Sequence, residues 1–271
     1  MSEAGEPSSR VLDLFAVPGQ VRPVPGGRGV SVVAGDLVLS PGRDAGTAAW
    51  LNPALARLAV DLDQRDARAV RLAVPVPARD GSWVVEGWGA SRYEPRTAVC
   101  HDLPVLVATG RLLHAHLARA FRRPPPLHRR QDRWAVADRA AFSDPGALSS
   151  AVAPEDPRSG FLVRLAKRVD AAWSAPAQLV HGDLAGNVLL DAKGVPVVID
   201  VSPYWRPVAW AEAVCVLDAV LWLGADARAL EAWRRGAELQ GMLRAMAFRV
   251  LSDGPQCDLA RYRSALGRLV D

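Results

Sequence analysis

Between Leu179 and Asp200, three short apolar runs are each closed or entered by a polar residue. Asp183 follows Leu179-Val180 in a loop opened by Gly182, Asn187 enters Val188-Leu189-Leu190, and Asp200 ends Val197-Val198-Ile199. Strands this short are held by turns and neighbours, so their polar ends mark a site more than a core. An Asp after one strand often only caps a turn. Three such residues in this order point to chemistry. Strand-end carboxylates beside a carboxamide are hard oxygen ligands, suited to Mg2+ held jointly with phosphate oxygens. Phosphoryl transfer needs a carboxylate to orient or take the proton of an attacking hydroxyl, and ligands for the metal on the phosphates. Asp183 fits the first need, and Asn187 and Asp200 fit the second.

The rest of the chain divides around this segment. Residues 1–10 are polar and read as a disordered tail. From Val11 to Tyr93 the pattern is strand-like with one helix: a hairpin turning at Gly35-Asp36, a helix over Thr47–Val60 that Pro53 might begin, and strands over Val70–Val76 and Ser82–Gly87. Helices dominate afterwards, over Val99–Phe121, Ala135–Phe142, Phe161–Trp173, Val208–Leu223, Ala227–Leu251 and Leu259–Val270. The expected domains are therefore an N-terminal one over 11–93 and a helical one over 94–271, with the linker near Trp88–Thr97. The fold class is α+β.

Composition narrows the function. The 271 residues carry a net charge of +4, almost all of the basic side being Arg; the only lysines are Lys167 and Lys193. Arg122, Arg123, Arg129, Arg130 and Arg133 cluster, but without a nucleic-acid module signature they read as a solvated face, and nucleic acid is not an expected partner. Cys100, Cys215 and Cys257 form no CxxC pair, which fits a reducing cytoplasm. The N-terminus lacks the apolar core of a signal peptide, and the apolar run Val208–Ala225 is broken by Glu212 and Asp218, so no membrane association is expected. There is no GxxxxGK[ST], Gly-x-Ser-x-Gly or HExxH. His114 and His116 lie two apart on a helix and make a poor metal pair.

The runs His181-Gly182-Asp183-Leu184, Gly186-Asn187-Val188-Leu189 and Ile199-Asp200 resemble the aminoglycoside phosphotransferase and choline kinase superfamily. They are most similar to an actinobacterial-type branch carrying Ile199-Asp200-Val201-Ser202-Pro203-Tyr204-Trp205-Arg206-Pro207. The resemblance spans nearly all of residues 18–270. It implies a bilobal protein-kinase-like fold, with a small antiparallel-sheet N-lobe over the nucleotide and a larger helical C-lobe for substrate. It implies ATP (or GTP) and Mg2+ as cofactors and a small-molecule hydroxyl as acceptor. Carried over, Asp183 is the catalytic base, His181 packs under the catalytic loop and fixes its shape, and Asn187 and Asp200 are the metal ligands. Asp218 either holds the loop backbone or faces solvent.

Two departures from that pattern matter. Only Leu184, Ala185 and Gly186 separate Asp183 from Asn187, where four residues are usual. Ser40 stands where an ATP-phosphate Lys is expected, and the helix Glu that would partner it is absent near Thr47–Trp50. Losing both together leaves no unpaired charge. Arg28, inside Gly26-Gly27-Arg28-Gly29, or Arg43 is the replacement cation. Gly27 and Gly29 either let the backbone approach phosphates or form an ordinary hairpin turn. Glu86, Gly87 and Trp88 either meet adenine between the lobes or pack as a connecting strand. Tyr204-Trp205-Arg206 lines the substrate site or packs as a structural loop. Glu231, Glu238, Asp253 and Asp258 read as solvent-facing helix charges, or as attractors of a cationic substrate. The alternative function is a catalytically weak or inactive nucleotide-binding or regulatory protein of the same fold. Neither acceptor nor oligomeric state follows from a fold resemblance, because one fold hosts many acceptors.

Overall fold

The alternating residues on either side of Gly35-Asp36 form a hairpin in the computed structural model, which describes residues 6–24, 30–65, 69–123 and 130–266. Strands β2 (Val32–Ala34) and β3 (Leu37–Ser40) pair antiparallel, with Val32 opposite Leu39 and Ala34 opposite Leu37. Gly35 turns the chain at φ 59°, a conformation that suits glycine. Leu37 and Leu39 point into the core while Val38 and Ser40 do not, the period-two pattern of a one-sided sheet. With β1 (Arg22–Pro23), β5 (Pro75–Val76) and β6 (Gly89–Arg92), the hairpin makes a five-stranded antiparallel sheet ordered β1-β2-β3-β6-β5. Helix α1 (Ser9–Leu14) packs Val11 against Leu37, Leu39, Val85 and Trp88.

Contacts divide the chain into two units, residues Met1–Val99 with Val188–Asp200, and Cys100–Asn187 with Val201–Asp271. A second sheet completes the first unit, ordered β4 (Arg71–Leu72), β10 (Pro196–Val198), β9 (Val188–Leu190), β7 (Ala98–Val99). Its β4–β10 pairing is parallel and the others antiparallel. Helix α2 (Ala45–Asp63) buries Leu51, Leu55, Leu58 and Leu62.

Several sequence expectations change here. The tail over 1–10 extends too far: Ser8 caps α1, accepting from the Val11 N–H, and Pro7 is already buried. Residues 1–5 lie outside the described residues. The boundary at 93/94 moves to 99/100, and 188–200 leaves the helical unit. The cause is pairing: β6 lies between β3 and β5, so Trp88–Thr97 is not a linker, and β7 bonds to β9. The strand over Ser82–Gly87 reduces to a single bridge, Val85 to Trp88. Helix α2 begins at Ala45 because Asp44 caps it, and Pro53 falls inside, where the helix loses one backbone donor.

The second unit is helical around one two-stranded antiparallel pair, β8 (Ala177–His181) and β11 (Pro203–Pro207). Its helices are α3 (Leu103–Ala120), α4 (Arg133–Ala141), α5 (Pro145–Ser149), α6 (Ser159–Ala166), α7 (Val208–Trp222), α8 (Gly236–Asp253) and α9 (Leu259–Leu266). The helix expected over Phe161–Trp173 stops at Ala166, and that over Ala227–Leu251 splits into a 3₁₀ stretch, Ala227–Trp233, and α8. Helix α7 is apolar almost all round and is buried accordingly. Among the described residues no helix is long and apolar enough to cross a membrane. Of the arginine cluster, Arg130 pairs with Asp132 at 2.8 Å and is used internally. Arg129 and His128 lie outside the described residues.

Trp210 anchors this core. It is fully buried, and its ring meets those of Phe142, Tyr204 and Phe248 edge-on at 5.7, 5.3 and 5.3 Å. Trp210→Ala should lower stability by about 3–5 kcal/mol, read as a fall in the urea midpoint with an unchanged slope.

Candidate active site

The loop after β8 is fixed from below by two histidines. His181 ends the strand, fully buried, and its Nδ1 accepts from the backbone N–H groups of Asp183 (3.2 Å) and Ser202 (3.4 Å). One imidazole thus joins the loop to the start of β11. His114 on α3 accepts from the His181 N–H through Nε2 at 3.1 Å. Burial, and then the nearby His181, push the His114 pKa down to about 3, which keeps it a neutral acceptor. Gly182 admits no side chain: a Cβ there would lie 2.4 Å from the Tyr204 ring and 3.0 Å from Trp210. Tyr204 is itself buried, its hydroxyl pKa pushed up by desolvation. The Tyr204 segment is therefore packing, at least in its first residue.

The three-residue spacing closes as a tight turn. The Asn187 N–H bonds the Leu184 carbonyl at 2.9 Å, and Gly186 takes φ 85°. Asn187 Nδ2 donates to the Asp183 carbonyl oxygen at 2.6 Å and to its carboxylate at 3.3 Å. With Nδ2 so engaged, a metal could be met only by Oδ1.

Asp183 Oδ1 accepts from Arg249 at 2.5 Å, while 46% of its side chain remains exposed. Arg249, on α8, is buried and also forks onto Asp218 of α7, donating from Nε to Oδ1 at 2.8 Å and from its terminal nitrogen to Oδ2. Burial opposes the Arg249 charge, but the two carboxylates outweigh it and raise its pKa well above the usual. Burial pushes Asp218 up, to about 7, against the pull of Arg249. Asp218 therefore faces neither solvent nor the loop backbone; it holds the arginine that holds Asp183. Arg249 was not singled out from the sequence, although a charge inside Met246-Ala247-Phe248-Arg249-Val250-Leu251 was a signal that it is paired. A cleft of about 140 Å3 opens here, lined by Asp183, Asp218, Trp222, Arg249 and Asp253 among others. Asp253, read from sequence as a solvent-facing charge, accepts from the Tyr262 hydroxyl at 2.6 Å.

The other candidate residues belong to the first unit. Asp200 follows β10 in the left-handed region at φ 47°, which Asp tolerates better than most residues. Its Oδ1 accepts from Arg43 at 2.5 Å. Arg43 is held by its own N–H on the Gly87 carbonyl (2.9 Å) and packs over Gly89, where a Cβ would come within 3.2 Å of its Cγ. Ser40, at the expected Lys position, shares a hydrogen bond with Ser31 at 3.0 Å. Glu86 and Gly87 occupy a two-residue turn, at φ 50° and 80°, closed by reciprocal Val85–Trp88 backbone bonds. Glu86 accepts from the Ser8 hydroxyl at 2.6 Å, and Trp88 is buried in the core under α1. Glu86, Gly87 and Trp88 thus form a hairpin within the first unit, where a connecting strand is the sequence expectation. Gly27, Arg28 and Gly29 lie outside the described residues.

Among the described residues no group of three His, Cys, Asp or Glu side chains is placed to hold a metal unaided. A Mg2+ shared with phosphates needs only one or two protein carboxylates; Asp200 offers the donor atoms, one of them taken by Arg43.

No protein-family model matches the chain, and no curated protein matches it in sequence. Solved structures do match in shape. A choline kinase from Streptococcus pneumoniae aligns with a TM-score of 0.50 at 13% identity, over 96% of this chain and 96% of that one. That kinase in complex with AMP gives 0.50 at 12% identity, over 92% and 91%. A macrolide 2'-phosphotransferase from Brachybacterium faecium gives 0.45 at 16%, over 97% and 96%.

Removing the centre of the Asp183–Arg249–Asp218 bridge leaves a buried carboxylate without its cation. Arg249→Met should therefore lower stability by about 3–5 kcal/mol. Adding Asp218→Asn should restore part of that loss, measured by urea unfolding of both variants.

Proposed function

The chain has the kinase-like fold of the choline kinases, and from that premise we propose that it is a cytoplasmic, Mg-ATP-dependent phosphotransferase acting on a hydroxyl of a small molecule. One observation carries the reading. The Asp183 carboxylate stands on a loop braced by His181, Asn187 and Arg249, and remains half-exposed over a cleft. With Oδ1 taken by Arg249, Asp183 acts chiefly by orienting the acceptor hydroxyl and receives its proton as the oxygen attacks. Bound Mg-ATP supplies the phosphoryl group and the charge that offsets its oxygens. Asn187 through Oδ1 and Asp200 would hold the metal, and Arg43 would supply the cation that Ser40 does not. The AMP complex of the S. pneumoniae kinase supports an adenine nucleotide as donor, with GTP the other candidate.

The cleft supports a cationic acceptor. Asp183 and Asp253 both face it beside Arg249, and the indole of Trp222, half-exposed, offers an aromatic face that already takes the Arg261 cation at 4.6 Å. An amine-bearing alcohol meets both features. A second reading rests on Arg43. Its guanidinium occupies the carboxylate that would bind metal, as expected of a nucleotide-binding protein with weak or no turnover.

Melting temperatures with and without Mg-ATP test the site, since a ligand that binds only the folded state raises them. The wild type should shift, and Asp200→Asn should lose the metal-dependent part of that shift. Asp183→Asn should keep the shift but lower turnover by about 10²–10⁴-fold, measured as ADP release with amino-alcohol acceptors. A shift without turnover in the wild type would favour the second reading. No shift at millimolar Mg-ATP would leave a likeness of fold alone.

A further inference from the structure

The β8–β11 pair has two ends. His181 and Pro203 face each other at the end near Asp183, while Ala177 and Pro207 face each other at the other. At this second end the helical unit holds a cavity of about 330 Å3, whose walls include Phe142, Trp173, Trp205, Arg206 and Arg244. Neither Asp183 nor any other residue of the first cleft borders it.

Arg244 is the unusual group. Three arginines are buried among the described residues: Arg158, Arg244 and Arg249. Arg158 pairs with Asp156 at 2.7 Å, and Arg249 with two carboxylates. Arg244, 4% exposed, has no carboxylate partner among the described residues. It donates only to two backbone carbonyls, Ala141 at 2.9 Å and Asp170 at 3.1 Å, and its Nε has no partner. A guanidinium has five N–H donors and does not deprotonate. Most of its bonding capacity is thus unmatched, and its charge lacks a carboxylate partner in a setting where an unpaired charge is costly. Burial, then the neighbouring Arg206 charge, oppose its ionised form, and the Asp170 charge favours it.

Among the neighbours Arg206 is paired with a carboxylate, and the nearby acids are held by backbone N–H groups. Arg206 forks onto Asp138 at 2.8 Å through both nitrogens. Asp144, the acid in the cavity wall, caps α5 by accepting from the Ala147 N–H at 3.0 Å, and Asp170 accepts from the Ala172 N–H at 2.8 Å. The remaining surface is aromatic. The Arg206 guanidinium lies 3.9 Å over the Phe142 ring, and Arg244 lies 5.1 Å from Phe142 and 5.5 Å from Trp173.

We propose that this cavity is a second binding site, for a small aromatic carboxylate. A cation without a carboxylate partner suits an anion of single charge. A guanidinium fork matches a carboxylate's two oxygens. Walls of Phe142, Trp173 and Trp205 favour a flat ring, and the volume lies at the small end of ligand cavities. The carboxylate takes the free Arg244 donors, and the ring stacks among the aromatic side chains.

Heat-detected titration of the full chain with benzoate and with its neutral isostere benzamide tests this. Benzoate should bind saturably, and benzamide at least about tenfold more weakly. Arg244→Met should remove benzoate binding. Arg244 also bonds the ends of two segments, so a second variant spares those bonds. Ser174→Trp fills the cavity instead, leaves Arg244 and its carbonyl partners in place, and should abolish binding equally. Asp183→Asn should leave it unchanged, which separates this site from the phosphotransferase reading. Absence of benzoate binding, equal binding of benzamide, or full binding by Ser174→Trp would overturn the proposal and leave Arg244 as a brace between the Ala141 and Asp170 carbonyls.

Discussion

The helical unit is organised around one buried cation. Arg249 reaches from α8 to Asp218 on α7 and to Asp183 beyond the end of β8, so a single guanidinium ties two core helices to the loop that carries the candidate chemistry. The arrangement is demanding. Arg249 is desolvated and needs both carboxylates; Asp218 is desolvated and needs Arg249; only Asp183 retains water. Such a bridge contributes less to net stability than its short contacts suggest, since desolvation offsets most of the attraction. Its effect is positional. A loop one residue shorter than the usual kinase spacing has less freedom to adapt, and Arg249, His181 and Asn187 together set where the Asp183 carboxylate stands.

The first unit solves a related problem with fewer parts. Where a kinase-like fold carries a Lys on its third strand, this chain has Ser40 bonded to Ser31, and the nearest cation is three residues further on. Arg43 is positioned by the hairpin tip and by the missing side chain of Gly89, and it meets Asp200 directly. A longer, forked side chain from a later position thus touches the carboxylate that would carry a metal. In this unit the cation that meets Asp200 is therefore Arg43.

The parts of this arrangement that were legible in the sequence are those written locally. The order Asp183, Asn187, Asp200 between apolar runs named the candidate residues, and Gly35-Asp36 marked the hairpin. Asp44 at the α2 cap and the turn at Glu86-Gly87 were not recognised, because alternation through Ser82–Gly87 resembles a strand until reciprocal bonds close it at Val85 and Trp88. Strands of two residues, such as β4 and β7, are too short to show any period. Arg249 was missed for a different reason. Its partners lie 66 and 31 residues away, so the apolar run around it signals a pairing but not the partner.

The place of Val188–Asp200 has a consequence for how the protein is made. This hairpin supplies β9 and β10, which pair with Ala98–Val99 and with Arg71–Leu72. The N-terminal unit is thus completed by residues that follow most of a helical segment in the chain. During synthesis its first sheet can form early, but its second must wait until residue 200 has emerged, holding the edges of β4 and β7 unpaired meanwhile. Neither unit is a contiguous piece of gene, so a single break between residues 100 and 188 divides both.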